Sequence, residues 1–120
     1  MSTPPTRPIF KTPGITSAQW SRISRECAYE AEKATAAAGP RTPTAYTKGR
    51  LFKMCAELKG ATFVGRVTMT DEQWNQISAS CGEEADRAVA GQPASRAKDE
   101  RREDLEIECA RRKGVVFHPL

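Results

Sequence analysis

The chain has one histidine, His118, and only 7% aromatic residues in 120 positions. A single histidine, third from the C-terminus, leaves no credible Ser-His or Cys-His dyad, because a hydroxyl or thiol nucleophile needs a base within hydrogen-bond reach. No Gly-rich phosphate loop is present; the glycines stand where turns and helix stops are expected. No C-x-x-C occurs, which removes both the redox motif and the paired knuckles of a structural zinc site. There is no apolar run of roughly 18 residues, so no membrane span is expected. The opening Met-Ser-Thr-Pro-Pro-Thr-Arg-Pro has no apolar core of a secretory signal, which makes the cytoplasm the default expectation. The chain therefore reads as non-enzymatic, with no catalytic residue, no metal and no cofactor.

What the sequence does contain is a repeat. Thr16 to Cys27 and Thr70 to Cys81 both spell T-x-x-Q-W-x-x-I-S-x-x-C, 54 positions apart. Counting from Ile9, 16 of 58 pairs at that shift are identical, with no gap. The matches run on through Glu30/Glu84, Leu51/Leu105, Cys55/Cys109, Lys59/Lys113, Gly60/Gly114 and Phe63/Phe117. Two copies are too few for an open solenoid, so a pseudo-twofold pair of repeats is expected.

Each copy reads as a helical hairpin. Thr16 with Gln19 and Thr70 with Gln73 form capping boxes: the hydroxyl accepts from the amide three residues on, and the glutamine reaches back. Ile15 or Met69 before the cap and Trp20 or Trp74 after it have the spacing of a hydrophobic staple. The first helix of each copy carries an apolar stripe, Trp20, Ile23, Cys27, Ala31 and Ala34, or Trp74, Ile77, Cys81, Ala85 and Ala88. Gly39-Pro40 and Gly91-Gln92-Pro93 end these helices. Second helices follow from about Pro43 to Lys59 and from about Ser95 to Lys113. Leu51, Met54, Cys55 and Leu58 are the expected inner face of the former; the latter has Glu108 and Arg112 in place of Met54 and Leu58. Its charges, including Arg102/Glu106 and Glu108/Arg112 pairs, read as a solvated face. Ala61–Val64 and Val115–Phe117 are short strand-prone runs. The expected fold is mainly α with short strands (α+β). Residues 1–14 form an extended, proline-rich arm, 15–66 the first repeat and 67–120 the second, each an antiparallel α-helical hairpin flanked by short β-strands.

The four cysteines sit at matched heights. Cys27 and Cys55 are each 14 residues from Arg41, and Cys81 and Cys109 are each 14 from Ser95. Residues equidistant from the turn of an antiparallel hairpin stand level, so Cys27 should meet Cys55 and Cys81 should meet Cys109. Reduced, buried thiols are the cytosolic default. Disulfides, each closing a loop worth roughly 3 kcal/mol, are the alternative and would imply an oxidising compartment.

Two functional readings remain. Residues 1–62 carry 10 basic and 4 acidic residues, a net +6, whereas residues 63–120 carry 9 and 11, a net −2. Tyr46, Lys48, Arg50 and Lys53, interleaved with Phe52, are a candidate face for phosphate and stacked bases or for an acidic protein, with Arg7, Lys11 and Arg41 extending it. The other reading, a protein-binding or assembly module and small subunit of a larger complex, rests on the arm and the unequal halves. A protein partner is expected, nucleic acid is the alternative, and no membrane contact is expected.

Overall fold

The computed structural model describes residues 5–38 and 44–120. Within them the chain runs β1 (Thr6–Lys11), α1 (Ser17–Ala38), α2 (Thr44–Leu58), β2 (Thr62–Thr68), α3 (Asp71–Val89) and α4 (Arg96–Arg112). The class is mainly α with a two-stranded antiparallel sheet. Helices α1 and α3 begin directly after Thr16 and Thr70, and α2, α3 and α4 end within two residues of Gly60, Gly91 and Gly114; the Gly39-Pro40 stop lies outside the described residues. Two compact units are formed: Ile15–Phe63 with Leu120, and Met1–Gly14 with Val64–Pro119.

In the unit Ile15–Phe63, α1 packs on α2. Cys27, Ala31 and Thr35 are the buried line of α1. Thr35 is tolerated inside because its hydroxyl donates to Ala31 O at 2.9 Å and Glu32 O at 3.0 Å. The expected stripe residue Ala34 is exposed, because the contact follows the i, i+4 row from Cys27 and passes one position beyond it. The expected inner face of α2 also needs correction. Cys55 and Ala56 face α1, Met54 is 55% exposed and Leu58 is 88% exposed. Successive helical residues differ by about 100°, so Met54 and Ala56 lie on opposite flanks of Cys55. The small flank is the one that admits a neighbouring helix. At the end of α2, Gly60 (φ 101°) turns the chain and Ala61 N–H donates to Ala56 O at 3.1 Å.

In the other unit, α3 packs on α4. Val67, Cys81, Cys109, Ala110 and Val115 form the core, with Ile9, Met69, Trp74, Ile77 and Phe117 packed against it. Val89 is buried where Ala88 was expected, which repeats the one-residue correction of α1. Gly114 (φ 92°) and the Val115 N–H to Ala110 O bond at 3.0 Å close α4 as Gly60 and Ala61 close α2. Strand β2 extends to Thr68, past the expected end at Val64. Gly65 permits this: the Phe117–His118 backbone lies so close that an added Cβ would stand 2.7 Å from Phe117 Cβ. The expected strand Val115–Phe117 is replaced by one bridge, in which Arg66 and His118 exchange N–H to O bonds of 2.7 and 2.9 Å. On its other edge β2 pairs with β1, and Met69 N–H donates to Pro5 O at 3.2 Å.

The interior is made of small side chains. Val67, Val89, Cys27, Cys81 and Cys109 are the largest that are fully buried. Such a core contributes little apolar burial per residue, so covalent or polar ties between the helices carry more of the stability.

Candidate interaction surfaces

The helix-start motif is structural. Thr16 Oγ1 accepts from Gln19 N–H at 3.1 Å while Gln19 Oε1 accepts from Thr16 N–H at 2.8 Å. Thr70 and Gln73 form the same box at 3.2 and 3.0 Å. Trp20 and Trp74 are half-buried beside these caps, and Trp74 packs against the core together with Met69.

The cysteines meet as the spacing predicts. Cys27 pairs with Cys55 and Cys81 with Cys109 at disulfide distance, each with Cα atoms 5.5 Å apart. The Cys109 sulfur also lies 3.3 Å from Glu84 Oε2. Glu84 Oε1 accepts from Arg112 Nη2 at 2.5 Å, a bond that holds its carboxyl below the ordinary range against partial burial. The expected Glu108/Arg112 pairing is thus replaced by a cross-helix pair to Glu84. Arg102 does pair with Glu106 as expected, and with Asp86 across the hairpin as well.

The basic face is partly committed to the fold. Lys48 pairs with Glu32 across the first hairpin at 3.3 Å, in the positions that Arg102 and Asp86 occupy 54 residues later. Lys53 pairs with Glu57 at 2.9 Å and stands 5.6 Å from the centre of the Phe63 ring. Arg50 is exposed. The Tyr46 side chain and Arg41 lie outside the described residues. Arg7 and Lys11, the expected extensions of the face, pair with acidic groups of α3 and α4: Arg7 with Asp71, and Lys11 with Asp104 at 2.6 Å and Glu100 at 3.8 Å.

These pairs show what sequence reasoning missed. Helix α4 was expected to be a wet face and nothing more; one side of it holds the N-terminal arm. Thr12 N–H donates to both Glu103 oxygens, at 3.0 and 2.9 Å, and Thr12 Oγ1 donates to Oε1 at 3.3 Å. Gly14 N–H donates to Asp99 Oδ2 at 3.2 Å. Burial pushes the Glu103 carboxyl up, against the Thr12 bonds that favour its ionised form. The hydrogen bond to Asp104 pushes the Lys11 ammonium up. Arg7 Nε is buried with no hydrogen-bond partner, a cost of about 1–3 kcal/mol set against the docking. The only signal in the sequence was the charge contrast between arm and second half.

Among the described residues no group of three metal-ligating side chains comes together, and no helix is long and apolar enough to cross a membrane. No protein-family model matches the chain, and comparison with curated proteins and with solved structures found no match.

Proposed function

We propose that the chain is a duplicated helical hairpin acting as a non-enzymatic protein-binding or assembly module, a small subunit that offers α2 to a partner. The observation carrying this reading is the exposure of Met54 (55%) and Leu58 (88%), one turn apart on α2. Scattered exposed apolar residues are ordinary, but two at i, i+4 on one helix face match a helix laid in an apolar groove. The equivalent positions in the second hairpin hold Glu108 and Arg112, so the duplication keeps these sites polar in one copy and apolar in the other. Recurrence of the capping boxes, C-terminal turns and 28-residue cysteine separation 54 positions apart supports the duplication. The test is cross-linking and affinity capture from the native source with the wild-type chain and with Met54→Glu/Leu58→Arg. The double substitution copies the second hairpin's pair, should leave the fold intact, and should abolish capture. Undiminished capture would mean that another surface binds.

A nucleic-acid reading is kept for one observation. Residues 15–63 hold 8 basic and 4 acidic residues, a net +4 equal to that of the whole chain. Binding through it should weaken steeply with salt and with Arg50→Glu/Lys53→Glu. No mobility shift at low salt would end this reading. The cysteine pairing supports residence in an oxidising compartment rather than the cytoplasm.

A further inference from the structure

We propose that the unit containing α3 and α4 is an acceptor for an extended basic strand, and that its occupant in trans is the arm of a second copy of this chain. This surface is separate from α2, so the inference goes beyond the assembly reading above.

Three observations carry it. The arm and its acceptor lie far apart in the chain: the Thr12–Glu103 and Gly14–Asp99 contacts span 91 and 85 positions. The whole unit Ile15–Phe63 intervenes, and the chain leaves the arm at the Pro13-Gly14 turn, where Gly14 has φ 77°. An arm that leaves its docking site through such a turn can be exchanged between identical chains, with the change of backbone confined to the turn.

The acceptor also has a definite chemistry. The edge of β2 supplies main-chain bonding to the strand, as Met69 N–H does to Pro5 O. Asp71, Asp99, Glu100, Glu103 and Asp104 then meet Arg7, Lys11 and two backbone N–H groups of the arm. An extended peptide is thereby selected with a cation at each end of the strand and free amides in the turn that follows. Residues 7–14 have that pattern, and every second copy brings it.

Finally, the ion pairs that select the arm's sequence are open to solvent, while the β1–β2 ladder and the packing of Ile9 would be the same for the arm of any copy. The ion pairs involve carboxylates that are half or more exposed, 50% for Asp104, 52% for Glu100 and 76% for Asp71, and Arg7 Nε gains no partner. Whether the site is filled in cis or in trans then depends on the concentration of a second copy relative to the effective concentration of the tethered arm.

A charge-swap pair made in the full chain tests this. Lys11→Glu sets the arm of one variant against Asp104 and Glu100; Asp104→Lys sets the acceptor of the other against Lys11. In a mixture, the arm of the second variant fits the acceptor of the first, and the two altered positions complement each other. Light scattering and native mass spectrometry should find a one-to-one heterodimer, with about tenfold more dimer in the mixture than in either variant alone. The chain carrying both substitutions should remain monomeric and show wild-type circular dichroism. A mixture containing only monomers would overturn the proposal, as would equal dimer in the separate and mixed samples. Neither result touches the α2 face, which Met54→Glu/Leu58→Arg tests separately.

Discussion

At the scale of single residues, Gly65 has the least room for a side chain among the described glycines. A methyl group there would meet Phe117 Cβ at 2.7 Å and the Phe117 carbonyl carbon at 3.0 Å, and backbone cannot swing aside as a long side chain can. Gly65→Ala should cost about 1–3 kcal/mol, seen as a lower midpoint in urea or heat. Gly91 is the control. Nothing lies within 4 Å of its would-be Cβ, so Gly91→Ala should be neutral or slightly stabilising. An unchanged midpoint for Gly65→Ala would contradict the close approach of β2 and the C-terminal segment. The capping residues are a simpler case, since each bonds only to its own first turn. Thr70→Ala should cost about 1 kcal/mol by the same measurement. Thr16, Gln19, Thr70 and Gln73 were legible in the sequence for that reason: donor and acceptor are three residues apart.

At the scale of elements, the two helices of a hairpin are tied by ion pairs whose response to pH follows from their shifts. Glu84, held low by Arg112, contributes stability above the ordinary carboxylate range and loses it as pH falls through its lowered value. Asp86, held low by Arg102, behaves alike. Glu103 and Glu106 are raised by burial, so the native state binds their protons more tightly and their contributions grow on acidification. Lys11 has the remaining sense: its contribution is complete below the ordinary lysine range and is lost as pH rises through its raised value. The melting-temperature gap between wild type and Glu84→Gln should therefore be present at neutral pH and close in acid. A gap constant with pH would remove the Glu84–Arg112 pair from the account. The elements themselves were largely readable, because caps, stops and apolar periodicity are local. The chosen flank of α2 was not. Hydrophobicity ranks Met54 and Leu58 above Ala56, yet close helix approach selects the smaller side chain.

At the scale of the whole molecule, stability rests on a small core and two cysteine pairs. Alkylation of native protein should add no mass, and alkylation after reduction should label four thiols. Reducing one pair should lower stability by about 3 kcal/mol in the chain-entropy model, measured with Cys27→Ser/Cys55→Ser against wild type. Native protein with four reactive thiols would instead support the cytosolic reading. The pairing was legible because equal distance from a turn is a matter of counting. Arm docking was not, for no local rule connects Thr12 with Glu103.

The amino-acid order was sufficient for the features that depend on neighbours along the chain: four helices, the capping boxes at Thr16 and Thr70, and cysteines level with one another. What required the folded chain was the selection among flanks and partners separated by tens of residues. Packing put Ala56 inside and left Met54 and Leu58 outside. It also turned a highly charged helix, with as many basic as acidic residues, into the seat of the N-terminal arm. Both outcomes depend on which surfaces can approach closely enough to exclude water, a property of shape in three dimensions that composition and periodicity do not encode.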